Sequence, residues 1–203
     1  MTKGVYRVFD ISQEVYGCAV WPGDPAPTKT VLSDMTNGDR YNLTAFSMCA
    51  HNGTHIDAPR HFLLDGITVD RIPLEKTVGL CYVAEHDGAL SEEDARAILD
   101  RASARCEDSA TKILIKGKAV VTEKAAEVFA AAGLDLIGNE SHTVGPEDGP
   151  MAVHLILLEA QTVLLEGIRL GEVPEGVYWL HAAPLNLGGA EGAPCRATLT
   201  TIE

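Results

Sequence analysis

The chain has 203 residues, 46% of them apolar, and a formal net charge of −13. That length suits one domain spanning residues 1–203 with a core of its own. It has no basic cluster to hold nucleic-acid phosphates or an anionic membrane surface, and its longest apolar run, VHLILL (153–158), is far too short to span a bilayer.

The N-terminal MTKGVYRVFDIS lacks the apolar stretch of a signal peptide, and VYRVFDI (5–11) is expected to form a strand. WPGDPAP (21–27) is a Pro/Gly loop headed by Trp21. YNLTAFSMCA (41–50) alternates like a strand and delivers the chain to HNGTHIDAPRHF (51–62). GLCYVAEH (79–86) is a buried strand. SEEDARAILDRA (91–102) is a helix with Ser91 as N-cap and acids in its first turn. KILIKG (112–117) is a strand, and TEKAAEVFAAAG (122–133) is a helix running from Thr122 to a terminal Gly133. LDLIGNE (134–140) is a strand, and PMAVHLILLEA (150–160) is a helix with Pro150 at its start. TVLLEGI (162–168), VYWLHAAP (177–184) and RATLTTI (196–202) close the chain as strands. Strand and helix alternate in the second half, while the first half and tail are strand-rich, which predicts an α/β fold with a mixed sheet. Five scattered cysteines, with no C-x-x-C, read as reduced and mostly buried thiols of a cytoplasmic protein.

The stretch 51–62 gathers His51, His55, Asp57 and His61. Asn52-Gly53 and Pro59 disfavour a helix there. A tight loop after a strand can instead turn His51, His55 and Asp57 toward a common centre, with Gly53 taking a backbone angle other residues avoid. Two imidazoles and a carboxylate suit a divalent ion, zinc first and manganese second, and three protein ligands leave a position open for water. Water held there has its pKa lowered toward neutrality and can act as a nucleophile. His61, past the proline, is placed to move protons. Isolated histidines usually do nothing special, but four such groups in eleven positions are a stronger signal.

HNGTHIDAPRHF resembles the H-x-G-T-H-x-D-x-P-x-H signature of the cyclase family of metal-dependent hydrolases, best known for bacterial kynurenine formamidases. The resemblance extends from WPGDP through the signature to LLEGI and the closing APLNLGGAEGAPCRATL. It implies a swivelling β/β/α fold with a mixed sheet, one or two divalent ions per chain, a small-molecule substrate and a homodimer or homotetramer. It also implies that His51, His55 and Asp57 ligate a first ion and that Asp57 reaches a second. His154 and Glu166 would complete the ligand set, with His61 as the acid/base and Trp21 lining the substrate pocket. Taken alone, His154 on its apolar helix reads as a hydrogen-bonded core histidine, and Trp21 as a loop aromatic packed on the surface. Glu166 among leucines has more independent weight, because an unpaired carboxylate there is costly and a metal would remove that cost.

One segment departs from the family. Where kynurenine formamidases carry a Thr-Pro-Ser type sequence after the strand LDLIG, this chain has NESHTVGPEDGP (139–150). Glu140 and His142 are expected to face the pocket, altering the substrate or supporting a ligand histidine. The leading expectation is a metal-dependent hydrolase that cleaves an amide C–N bond of a small aromatic or cyclic substrate. Alternatives are an isatin-hydrolase-like ring-opening amidase, a metal-dependent lyase or cyclase, and a metal-stabilised binding protein. The spare histidine argues against the last, since a structural site prefers full coordination.

Overall fold

A computed structural model describes residues 6–202. The first residues of the expected strand 5–11 and of the N-terminal segment lie outside the described residues, as does Glu203. In chain order the strands are β1 (Val8–Asp10), β2 (Thr28–Ser33), β3 (Leu43–Ser47), β4 (His55–Asp57), β5 (Val78–Glu85) and β6 (Gly88–Leu90). Helix α1 (Glu92–Arg105), β7 (Lys112–Lys116), β8 (Ala119–Val121), α2 (Glu123–Ala131), β9 (Leu136–Asn139), α3 (Met151–Glu159) and β10 (Val163–Glu166) follow. The chain ends in β11 (Gly176–His181), β12 (Gly192–Pro194) and β13 (Thr198–Thr201).

Among the described residues, nine strands form one mixed sheet in the order β1-β13-β11-β5-β7-β9-β10-β4-β12. Its centre, β5-β7-β9-β10, is parallel, and every pairing outside that block is antiparallel. The parallel block is built by the segments where strand and helix alternate in the sequence. Each crossover carries a helix, and the first two start on a side-chain cap. Ser91 and Asp94 form a reciprocal capping box at α1, and Thr122 accepts from the Ala125 amide at α2.

The three helices cover one face of the block. Tyr82, Ile113, Ile137 and Leu164 form a row in register across β5, β7, β9 and β10. They pack with Ile98, Ala125, Phe129 and Leu157 of the helices. The other face packs Val83, Leu114 and Leu165 with Phe9 and Leu199 from one end of the sheet and Ile56 and Ala193 from the other. A flat sheet could not bring its two ends into one core, so the sheet is curled. This agrees with the expected mixed α/β class. Short strands β2, β4, β6, β8 and β12 were not expected from the sequence. Among the described residues, no helix is long and apolar enough to cross a membrane.

Candidate metal centre

The stretch expected as a tight loop is strand at its heart. His55–Asp57 forms β4, paired with β10 on one side and β12 on the other. Alternation along a strand puts His55 and Asp57 on one face and Ile56 on the other, in the core. Leu164 stands opposite Asp57, so the apolar row under the helices ends in a carboxylate. Glu166 stands opposite His55.

The turn before β4 is pinned at several points. Asn52 Oδ1 accepts from the Cys49 amide at 2.7 Å, and the Gly53 amide donates to Ala19 O at 3.0 Å. Gly53 has φ 66°, and a Cβ added there would stand 2.7 Å from Cys18 Cβ. The Thr54 hydroxyl donates to Gly167 O at 2.8 Å, tying the turn to the end of β10. After β4, Pro59 opens a 3-10 turn over residues 59–61 that presents His61 to the same region. His154 arrives on α3, within the buried stripe shared with Val153, Leu157 and Leu158.

Asp57 is the hub. Its Oδ1 lies 2.8 Å from His51 Nδ1 and 3.4 Å from His55 Nε2. Its Oδ2 lies 3.5 Å from His154 Nε2 and 3.9 Å from His61 Nε2. Glu166 completes the cluster at 3.4 Å from His55 Nε2 and 3.2 Å from His154 Nε2. The Val144 amide donates to Glu166 Oε1 at 2.8 Å. His55, Asp57, His154 and Glu166 are at most 3% exposed. His55 Nδ1 bonds Gly53 O and His154 Nδ1 bonds Pro150 O, both at 2.9 Å. Only a protonated nitrogen can bond a carbonyl, so both rings turn Nε2 toward the carboxylates. That is the attitude of a ligating histidine held by its other nitrogen.

Burial opposes charge on His55 and His154, but hydrogen bonds to Asp57 and Glu166 prevail and push both imidazoles up to about 10. Burial also opposes the Asp57 and Glu166 anions. The facing histidines overcome it, holding Asp57 well below the usual carboxylate range and Glu166 below it too. The cluster thus needs positive charge at its centre, from protons or from a cation. The donors fit a divalent ion. Donor atoms of His55, Asp57 and Glu166 lie within 4.8 Å of one another, and so do those of His51, Asp57 and His61. Asp57 Oδ2 and His51 Nε2 are buried without a hydrogen bond among the described residues. His61 differs from the others: its ring forms no hydrogen bond among the described residues, its side chain is 27% exposed, and burial holds its pKa below the ordinary value.

A cavity of about 410 Å³ opens over this cluster. Trp21, Phe62 and His142 form its aromatic walls, and Asp24, Cys49 and Glu191 add to its rim. Trp21 and His142 are stacked, with centroids 5.8 Å apart and planes 27° from parallel. Trp21 is therefore a wall of the cavity and not a surface-packed loop aromatic. Glu140 corrects the expectation for the 139–150 loop. Its carboxylate accepts from the Gly117 and Leu170 amides, at 2.8 Å each, and staples loops outside the cavity. His142 does line the cavity. Glu191, whose Oε1 lies 3.4 Å from His51 Nε2, was not singled out from the sequence. Its only signal there is an acid inside the glycine-rich GGAEGAP.

The Cyclase family model ("Putative cyclase") matches residues 9–146. A kynurenine formamidase from Erythrobacter litoralis is 32% identical over 208 residues, covering 98% of this chain and 96% of the relative. A solved structure described as a potential metal-dependent hydrolase with cyclase activity superposes with a TM-score of 0.81 at 28% identity, covering 98% of this chain and 100% of the other. Isatin hydrolase A from Labrenzia aggregata shares the fold, with a TM-score of 0.81 at 21% identity, covering 98% of this chain and 94% of the other.

Proposed function

The chain belongs to the cyclase family, and we infer from this and from its site that it is a metal-dependent amide hydrolase acting on a formamide or cyclic amide of a small aromatic substrate. Kynurenine-formamidase activity is the leading form of this reading, and the full-length similarity to such an enzyme supports it. The observation that carries it is Asp57, buried among four histidines that line the same cavity as Glu166. His51, His55, Asp57, His154 and Glu166 would hold one or two ions, zinc first and manganese second. When bound, such an ion supplies Lewis acidity, which lowers the pKa of water and polarises the amide carbonyl.

The chain's own groups account for the rest. Trp21 offers a face for an aromatic or cyclic substrate to stack on. His61, with Nε2 3.9 Å from Asp57 and no hydrogen bond to its ring among the described residues, is suited to take a proton from the attacking water. It would then return that proton to the departing nitrogen, since an amide nitrogen leaves poorly without one. Burial lowers its pKa and so favours the neutral, proton-accepting form at neutral pH. A single catalytic domain, a homodimer or homotetramer and a cytoplasmic setting complete the reading. Exposed Val31, Leu32 and Phe46 on the β2–β3 hairpin support association, and five free cysteines support a reducing compartment.

The test is hydrolysis of N-formylkynurenine by metal-stripped protein with zinc or manganese restored. Fast turnover only on restoration is expected. Metal binding with no turnover of this or any other aryl amide would overturn the hydrolase reading.

A further inference from the structure

The β4–β10 ladder ends at the pair that carries two of the expected ligands. Its register runs through Leu164–Asp57 and Leu165–Ile56 to Glu166–His55 and stops there. Beyond that pair each strand reaches a glycine in the left-handed region. Gly53, at φ 66°, lies two residues before His55, and Gly167, at φ 68°, directly follows Glu166. The two turns abut, so that a Cβ added to Gly167 would collide with Gly53 O. The strand ladder no longer fixes the chain here. Whatever joins the two turns therefore also sets how His55 and Glu166 face each other.

Side chains make the join, and half-buried Gln13 is at its centre. Its Nε2 donates to Gly167 O and its Oε1 accepts from the Ala19 amide, both at 2.8 Å. Its own backbone amide donates to Thr54 Oγ1 at 2.9 Å, and that hydroxyl donates in turn to Gly167 O. Arg169 Nη1 adds a longer contact to the same carbonyl at 3.4 Å. From Ala19 the bonds continue inward. Ala19 O accepts from the Gly53 amide at 3.0 Å, and Gly53 O accepts from His55 Nδ1 at 2.9 Å. One carboxamide is thus a single hydrogen bond from the residue after Glu166 and three from the His55 ring. Its two ends meet partners of opposite kind, a carbonyl at the nitrogen and an N–H at the oxygen. A methionine or an ionised glutamate of similar length cannot make both bonds.

We propose that Gln13 is a positioning residue of the metal centre, whose carboxamide clamps the Gly53 and Gly167 turns together and so holds His55 and Glu166 in ligating attitude. This rests on the metal-centre reading above. It gives the segment after β1 a part in the chemistry although Gln13 does not line the cavity over the cluster. A group that holds a ligand from behind typically contributes a factor of about 10–100 in metal affinity. Gln13 reaches the ligands through backbone and not through their rings, which puts it at the lower end of that range.

The test compares Gln13→Met, Gln13→Glu and Ser12→Ala with wild type at pH 8, where a glutamate is ionised. Ser12 is the control. Its hydroxyl donates to Ala197 O at 3.1 Å, so it anchors the same segment without touching either turn. Cobalt(II) is the probe, because zinc is d¹⁰ and has no ligand-field absorption. Both Gln13 variants should bind cobalt(II) about tenfold more weakly than wild type. At saturation their visible absorption should also differ from that of wild type. Ser12→Ala should leave affinity and spectrum unchanged. A merely structural role for Gln13 would lower the metal-free melting temperature, as Ser12→Ala does, and leave the cobalt spectrum as it is. Wild-type affinity and spectrum in either Gln13 variant, or an equal loss of affinity in Ser12→Ala, would overturn the proposal while the metal centre stood. A wild type that bound no cobalt(II) would sink the metal-centre reading itself, and the role of Gln13 with it.

Discussion

His55 and Glu166 stand directly opposite each other on antiparallel strands β4 and β10, with Nε2 and Oε2 3.4 Å apart. The pairing register thus sets the centre, with Asp57 two residues along β4 on the same face. A slip of one residue would send His55 and Asp57 into the apolar core and Ile56 into the cavity. The second carboxylate is as important as the first, because two imidazoles pushed up to about 10 face the pair.

Asp57→Asn should therefore do two separable things. In metal-free protein it removes the anion shared by His55 and His154 and leaves buried positive charge short of a partner. The expected loss is about 3 kcal/mol of unfolding free energy, the usual scale for breaking a buried pair. It should also abolish retention of metal. Urea unfolding of chelator-treated protein and elemental analysis of untreated protein measure the two effects. Unchanged unfolding would mean that the cluster is not ion-paired in the metal-free chain.

The same groups set a pH dependence of opposite sign in the metal-free and metal-loaded forms. His55 and His154 rise from 6.5 to about 10 on folding, so the folded state holds protons that the unfolded chain has released. Their stabilisation is complete below about pH 6.5 and is lost as pH rises toward 10. Asp57 and Glu166 are lowered, so their contribution is present above the unfolded carboxylate range and is lost on acidification. Metal-free protein should melt at progressively lower temperature between pH 7 and 10. Metal must displace the ring protons, so its affinity should rise over that window and it should release protons on binding. Melting curves with and without chelator check the first. Titrations in buffers of different ionisation enthalpy check the second. A metal-free melting temperature that rises with pH in this window would refute the assignment.

Much of this architecture was legible in the sequence, for reasons that also explain what was not. Buried parallel strands such as KILIKG read as continuous apolar runs, and the helices between them announce themselves through Ser91 and Thr122. Strands β4 and β12 have three residues each, too few for any period, and only their neighbours in space make them strands. The stretch 51–62 therefore read as a loop. His154 was ambiguous because α3 is apolar on every side, so its sequence does not reveal which face meets the cluster. Glu140 and His142 differ by two residues and were read alike. Only the closeness of the Gly117 and Leu170 amides separates a staple from a cavity wall.

His61→Ala distinguishes a proton carrier from a ligand. Its ring lies against His51, tilted by 30° with centroids 4.1 Å apart, and it supplies one nitrogen to one of the two donor groups around Asp57. Its partial exposure and lack of a fixing hydrogen bond favour mobility. The variant should keep nearly all its metal while kcat falls by roughly 10²–10⁴-fold, the range for losing a general acid/base. Metal content per chain and kcat on the same preparation give the answer. Loss of metal in step with activity would make His61 a ligand.

Gly53 and Gly133 offer a matched pair for the turn that aims His55. Both have left-handed backbone angles, φ 66° and 69°. An alanine at either should cost about 1 kcal/mol for that conformation alone. At Gly133 none of the described residues comes within 4 Å of the added carbon. At Gly53 it would stand 2.7 Å from Cys18 Cβ, and the carbonyl that holds His55 Nδ1 belongs to Gly53 itself. Relief of that contact must move the carbonyl, the imidazole or the Cys18 segment. Gly53→Ala should thus lose more stability than Gly133→Ala, by a further 1–3 kcal/mol or so. It should also weaken metal binding, which Gly133→Ala should leave alone. Denaturant midpoints and metal titrations on both variants measure this. Equal stability losses with equal metal affinity would show that the Cys18 side yields freely, and the aim of His55 would then rest on the β4–β10 register alone.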